Sequence, residues 1–400
     1  VSRPPTAPEP FRIGSLTGSV YVPNLLFSIG QGAAIPVIAL VALDLGASPA
    51  LAGLIVALRG IGTLAFDIPA GMMVARLGER LSMLLATATL ALVAVGIALR
   101  PTIVVYSVLV FLLGCAWSVW ALARLTYATE ATPLRQRGRV MSIMGGTMRI
   151  GQFIGPLIGG IVIIPLGLSG PFVAQALFGI AAAVTLFFTV EPTVHAAQVE
   201  AGPPPSLRAM LRDSGQVLRT AGFVAVAIQV LRTSRQAILP LWGDHLGLGA
   251  SQISLIFGLS SGIEMVIFYP VGMLMDRRGR KWAALPCLIL LSIGIALIPL
   301  TSTFAGLLVV GLFLGLANGL GAGINMVLGS DFSPTLGRSQ FFGIWRLISD
   351  IGTAGGPLLV AAVTSIASLG AAAVAVGGFG LIGAAVMWRA VPETLQADLD

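Results

Sequence analysis

The chain carries only two cysteines, two histidines and 10% charged residues over 400 positions, and each shortage excludes a class of protein. Cys115 and Cys287 lie far apart inside apolar stretches, so neither a disulfide framework nor a thiolate metal site is expected. His195 and His245 fall in loops and complete no ligand cluster with them. No metal or other cofactor is therefore expected. An intramembrane enzyme would need a nucleophile and base, or a metal cluster, at membrane depth, and neither histidine is there, so a catalyst is not expected. Charge is also too scarce to build a polar shell. With 56% hydrophobic residues and a mean hydropathy of +0.96, the chain belongs in a bilayer.

What is present is a series of apolar stretches, each long enough for a helix to cross hydrocarbon. Twelve can be drawn: 16–43, 49–75, 81–99, 102–129, 139–164, 169–190, 220–243, 250–275, 282–299, 303–330, 339–364 and 368–389. The fold class expected is all-α and integral to the membrane. Of the 23 Lys and Arg residues six fall inside spans and sixteen on one side, with Arg100 alone on the other. The positive-inside rule then puts both termini and the central loop in the cytoplasm, which for a bacterial-type cell means the inner membrane. The net charge of +7 is thus a record of topology, with no nucleic-acid footprint in it. The first span follows a proline-rich polar leader and is too long for a cleavable signal, so it is expected to direct insertion itself.

Residues recur 201 positions apart. Gly46 matches Gly247, Pro69 Pro270, Gly71 Gly272, Arg76 Arg277, Gly78 Gly279, Gly114 Gly315, Pro133 Pro334, Arg137 Arg338 and Gly151 Gly352, and Gly155-Pro156 matches Gly356-Pro357. One unit has been used twice, which in a membrane protein implies two pseudo-symmetric six-helix bundles rocking about a site between them. The expected division is an N-terminal bundle over 1–192, a linker over 193–218 and a C-terminal bundle over 219–400. The linker contains Pro203, Pro204 and Pro205, then a short amphipathic stretch with Leu207, Met210 and Leu211 beside Arg208, Arg212 and Asp213.

Two motifs carry a family resemblance. After span eight, Gly272 is followed by Asp276, Arg277, Arg278, Gly279, Arg280 and Lys281; after span two, Gly71 is followed by Arg76, Gly78 and Arg80, with Ala75 where the acid would stand. This repeated loop resembles the signature of the major facilitator superfamily. Span five holds Gly151, Gly155, Pro156, Gly159 and Gly160, similar to the helix-bend motif of that family's drug:proton antiporter branch, although Ser142 replaces its upstream glycine. The resemblance implies a secondary transporter working by alternating access, with spans 2 and 11, and 5 and 8, meeting across the bundle interface and spans 1, 4, 7 and 10 lining a cavity. It also points to proton-coupled export.

Nine ionisable residues fall inside spans: Arg59, Asp67, Arg124, Arg149, Arg232, Arg235, Glu264, Arg346 and Asp350. Such groups are costly in hydrocarbon and are functional candidates by default. Counting depth along each helix predicts two cross-interface pairs that hold the cytoplasmic side closed, Arg149 with Glu264 and Asp67 with Arg346, with Asp350 and Arg59 as further gate or proton-coupling candidates. A static salt bridge is the alternative for each pair. On the cavity side, Gln229, Arg232, Arg235 and Gln236 share one face of span seven, opposite Asn24, Ser28 and Gln31 of span one, Asn318 and Asn325 of span ten and Arg124 of span four. Trp117, Trp120 and Trp345 could stack on a ligand, or serve as core or lipid-facing residues.

So many arginines and amides suit an anionic group beside an apolar body. The expected function is proton-coupled efflux of an amphiphilic, possibly anionic, small molecule by a monomeric antiporter. The alternatives are a transporter or flippase for a lysolipid, glycolipid or other anionic lipid, and, further off, a non-transporting sensor or an intramembrane enzyme.

Overall fold

The structure, a computed structural model, describes residues 13–189, 207–334 and 337–395, and every regular element among them is helical. Residues 193–206 of the expected linker, with His195 and the three prolines, lie outside the described residues. Ten helical stretches are long and apolar enough to cross a membrane. Two of these, Pro49–Ala98 and Arg137–Thr189, contain 50 and 53 residues. At 1.5 Å per residue each is roughly twice the thickness of a bilayer, so each accounts for two crossings. The first breaks at Gly78, whose φ of 77° lies in the left-handed region open to glycine. The second turns at Gly167 with a φ of 60°. Twelve crossings result, in an integral membrane protein of two six-helix bundles.

Span 1 runs through Val22–Ala34 and Ile38–Asp44, joined by a tight turn at Ile35–Val37 that contains Pro36. Spans 4, 5 and 6 are Ile103–Glu130, Arg137–Leu166 and Gly170–Thr189. Spans 7 to 9 are Gly215–His245, Ala250–Arg278 and Lys281–Leu297, and spans 11 and 12 are Arg338–Ile366 and Leu369–Ala390. Spans 5, 7 and 8 run two to five residues past the predicted apolar limits, because a helix keeps its own hydrogen bonds as it enters the headgroup region. Span 10, predicted to be continuous, is divided into Phe304–Leu320 and Ile324–Asp331, with Gly323 between them at a φ of 81°. The amphipathic stretch before span 7 forms the short helix Leu207–Asp213, with Met210 buried.

The residues matched at 201 make matching contacts. Gly78 and Gly279 both adopt positive φ, 77° and 103°, where each half turns sharply between its second and third crossings. A Cβ on Gly155 would stand 2.5 Å from the carbonyl oxygen of Ile29, and one on Gly356 would stand 2.6 Å from that of Val230, which is 201 positions beyond Ile29. Gly114 and Gly315 likewise sit against the carbonyls of Arg59 and Ser260, another such pair. Within each bundle, therefore, helix backbones touch at glycines, where dispersion contacts replace the hydrophobic drive that lipid does not supply. The three span-five glycines Gly151, Gly155 and Gly159 serve this purpose: all face span 1 of their own bundle, and it is Gly160 that approaches Ser251 and Ser254 across the interface. Of the motif's glycines it is thus Gly160 that faces the other bundle, while the rest pack within their own.

Between bundles the close approaches lie on the half remote from the termini, here termed the far half. Gly53 faces Ala361, Gly60 would place a Cβ 2.7 Å from the Ala354 Cα, and Gly258 and Gly262 pack on Leu157 and Phe153. At Gly71, Gly146, Gly272 and Gly343, nearer the terminal face, a Cβ would meet nothing from the opposite bundle within 4 Å.

Gly155→Ala is expected to lower stability by about 1–3 kcal/mol, because a backbone carbonyl cannot retreat. Gly146→Ala, which meets open space, is expected to leave stability unchanged or raise it by about 1 kcal/mol through helix propensity. Thermal denaturation of the two variants checks both, and equal melting points would contradict the packing account.

Candidate functional site

A cavity of about 320 Å³ lies between the bundles, walled by residues of spans 1, 2, 4, 5, 7, 8, 10 and 11. Its charged lining is four arginines, Arg59, Arg149, Arg232 and Arg235, against two acids, Glu264 and Asp350. Gln31, Gln229, Gln236 and Asn318 add amides, and Trp117, Phe257 and Met148 add apolar surface. The helical spacing of the span-seven residues thus does place them on one wall. Asn24, Arg124 and Asn325 do not reach it, contrary to the sequence reading, because they lie nearer the terminal face. Arg124 donates to the Asn24 carbonyl oxygen, and Asn24 in turn donates to Met144 O and Thr147 Oγ1 at 2.8 Å each. Asn325 lies beyond the break in span 10, where its backbone oxygen accepts from Trp345 Nε1 at 2.9 Å. Trp120 is buried and stacked on Phe27 at 4.4 Å between centroids, so of the three tryptophans only Trp117 lines the cavity.

The break in span 10 supplies a ligand that a continuous helix would withhold. Arg232 donates Nε to Asn318 Oδ1 and an Nη to the Gly321 carbonyl, both at 2.7 Å, and Asn318 donates to Glu264 Oε2 at 2.5 Å. Asn318 therefore bridges the arginine of span 7 and the acid of span 8. The predicted Arg149–Glu264 ion pair is not formed among the described residues. Arg149 instead lies over the ring of Phe268, its guanidinium carbon 3.7 Å from the centroid, a cation–π contact in the same span-5 and span-8 seam. The repeat contained the signal: Phe268 and Asp350 are 201 positions beyond Asp67 and Arg149.

The other seam, between spans 2 and 11, holds Arg346 2.9 Å from Asp67. Arg346 also lies 3.6 Å from Asp350 one turn along its own helix, so one guanidinium serves two carboxylates. Ser118 donates to Asp67 Oδ1 at 2.6 Å. Thr353 donates to Asp350 Oδ1 at 3.2 Å, and Gln229 donates to Thr353 Oγ1 at 3.1 Å, carrying a polar chain from the seam to the cavity wall. The pair forms while the terminal-face glycines of the seams stay apart, so it is not by itself the mark of a closed terminal face.

The loop motifs differ between halves. Gly71 and Arg76 lie in the last turns of span 2, ahead of the turn at Gly78, and Arg80 just beyond it donates to Phe187 O at 2.7 Å. In the second half Asp276 is 82% exposed and only 3.9 Å from Arg280, and Arg277 is exposed beside it. Arg280 binds Asp331 at 2.9 Å. The acid that organises this loop is Glu393, which sequence reasoning missed: it accepts from the backbone N–H of Arg280 at 2.8 Å and of Lys281 at 3.0 Å, over Gly279 and at the start of span 9. Thr394 donates to Asp331 at 2.5 Å and closes the group. An acid just past the last apolar span was the available clue, but its partner lies 112 residues away.

The profile of the Major Facilitator Superfamily matches residues 22–235 and 221–399. An uncharacterized MFS-type transporter, YdeG of Bacillus subtilis, is 25% identical over 85% of this chain and 83% of its own. Another such transporter, of Methanocaldococcus jannaschii, is 20% identical over 83% and 87%. Among solved structures, a bacterial homolog of the human lysosomal transporter Spinster, in an inward-facing and unoccupied conformation, superimposes with a TM-score of 0.76 at 14% identity over 96% of this chain and 98% of that one. A D-xylose-proton symporter does so with 0.72 at 16% identity over 96% and 99%.

For Glu393, burial acts to raise the pKa, but N–H donors from Arg280, Lys281, Leu395 and Thr394 outweigh it and hold the carboxyl below its ordinary 4.5. A depressed folded-state value means stability that is present above 4.5 and lost as pH falls through the lower folded value. Glu393→Gln is therefore expected to melt below wild type at pH 7, with the gap narrowing under acid. A gap independent of pH would show that the charge contributes nothing.

Proposed function

The chain belongs to the Major Facilitator Superfamily and is a secondary transporter of that type; on this premise we propose that it exports a small amphiphilic anion in exchange for protons. The observation that carries this reading is the cavity wall, where four arginines face two acids. A site with an excess of fixed cations favours a carboxylate, phosphate or sulfate on its ligand, and the Trp117, Phe257 and Met148 surface favours an apolar body attached to it. A cavity of about 320 Å³ is at the small end of ligand sites, which favours a compact molecule over a two-chain lipid. Both seams are packed at small residues on the far half, so lateral entry there would need them to part.

The basic loops support placing the terminal face in the cytoplasm of a cell with this protein in its inner membrane. With the far half packed, the cavity is then closed toward the outside, the form that would load a cytoplasmic substrate. The division into bundles at 1–192 and 219–400, joined by a linker over 193–218, belongs to the same proposal, with a monomer as the working unit.

Proton coupling is assigned to Asp67, Arg346 and Asp350. Two carboxylates share one guanidinium at 2.9 and 3.6 Å, so one negative charge is in excess, and a proton bound there removes it. The group bridges spans 2 and 11, which move relative to each other when the bundles rock, and the Thr353 to Gln229 chain links it to the substrate cavity. Glu264, bound through Asn318 to Arg232, is the second candidate. Motion of the bundles would change how well each carboxylate is answered, and so its hold on a proton.

Proteoliposomes with an imposed pH gradient test this. A panel of radiolabelled amphiphilic acids is expected to contain compounds accumulated by wild type only with the gradient, and Asp67→Asn and Asp350→Asn are expected to reduce that accumulation to background. Gradient-driven transport that survives neutralising Asp67, Asp350 and Glu264 in turn would exclude all three as coupling groups.

A further inference from the structure

Of the arginines at membrane depth, Arg59 and Arg235 are the least answered, Arg235 holding one long bond of 3.4 Å to the Ser260 hydroxyl. Arg346 has two carboxylates, Arg232 an amide and a carbonyl, Arg124 an amide, Arg149 the Phe268 ring. Arg59 makes one bond, from an Nη to the carbonyl oxygen of Gln31 at 2.9 Å, and among the described residues no carboxylate lies within 4.0 Å of it. Gln31 is only 4% exposed, and its own Nε2 has no partner. Both residues line the central cavity. A half-buried guanidinium with no carboxylate partner beside a buried, unused amide donor leaves donors in excess of acceptors.

The repeat shows that this is particular to the first half. The counterpart of Arg59 is Ser260, whose hydroxyl donates to Gly311 O at 2.7 Å and accepts from Arg235 at 3.4 Å, so the second half satisfies the position internally. The Arg59 backbone is held by its contact with Gly114, and the Gln31 backbone lies among residues of span 1 that span 5 clamps through Gly151 and Gly155. The donors are thus preorganised on rigid helices rather than on loops.

We infer that Arg59 and Gln31 form the subsite that holds the substrate's carboxylate, one oxygen accepting from the Arg59 guanidinium and the other from Gln31 Nε2. Arg59 stands ten residues into span 2, about 15 Å from the far face, and Gln31 thirteen residues from the far end of span 1, about 20 Å from it, while Glu264 and Asp350 lie at about 21 and 24 Å. The anionic head therefore sits at the level of Arg59 and Gln31, on the far-face side of both acids. The apolar body points toward the terminal face along Trp117 and Met148. The substrate class is a compact aryl- or alkyl-carboxylate. This inference rests on the anion-transport reading and specifies where the anion binds.

Binding of 4-phenylbutyrate, its neutral amide and phenylbutyl-trimethylammonium to purified full-length protein in nanodiscs tests the assignment, read by thermal shift and calorimetry. Wild type is expected to bind the acid and neither of the others. Arg59→Gln is expected to weaken binding by about tenfold or more, and Gln31→Leu by about three- to tenfold. Gln31→Glu places a permanent counter-ion against Arg59, and is expected to raise thermal stability while blocking the acid, a result that loss of folding cannot imitate. Unchanged affinity for the acid in Arg59→Gln, or acid binding retained by Gln31→Glu, would overturn the subsite. If gradient-driven flux of anions persists in that case, only the placement fails; stabilisation of wild type by the cation alone would sink both the placement and the anion reading.

Discussion

Hydrocarbon accepts a charge only when the protein interior answers it, and six arginines and three carboxylates at membrane depth make that requirement the constraint to which the rest of this structure conforms. Left unanswered, each would cost about 2.5–3.5 kcal/mol or more. Arg346 takes two of the acids. The others are served by weaker means: an amide each for Arg59 and Arg124, an aromatic face for Arg149, a hydroxyl for Arg235, and for Arg232 a backbone carbonyl exposed by breaking a helix. The broken span 10 is thus part of the electrostatic arrangement. It places Gly321 O beside Arg232 and lets Asn318 connect that arginine to Glu264.

This distribution of charge rests on a scaffold that is closely repeated. Glycines 201 positions apart touch backbone atoms that are themselves 201 apart, so the two bundles share one packing plan. Chemistry then departs from the plan at corresponding points. In the seam of spans 2 and 11, Asp67 and Asp350 gather around Arg346; at the equivalent point in the seam of spans 5 and 8, Phe268 lies under Arg149. One seam is held by titratable groups and the other by a contact indifferent to pH between acid and neutral conditions.

The terminal face shows the same division of labour. The loop motif appears in both halves, but in the second it is braced by Glu393 and Asp331, residues outside the motif, while the motif's own Asp276 is exposed. The short chain after span 12 is in this way tied to the loop before span 9.

Membrane class, twelve crossings, two related bundles and a basic interior could all be read directly from residue order, because hydropathy, charge bias and repetition are properties of the chain taken one segment at a time. Depth was legible too: counting 1.5 Å per residue put Asp67 level with Arg346, and the two are paired. Rotation about the helix axis was not. Arg149 and Glu264 share a depth yet face different neighbours, Phe268 and Asn318. Which side chain meets which across a seam depends on how whole helices are turned and tilted against one another. That is settled by glycine contacts and by the competition of several polar groups for few partners, neither of which exists until all twelve spans are assembled.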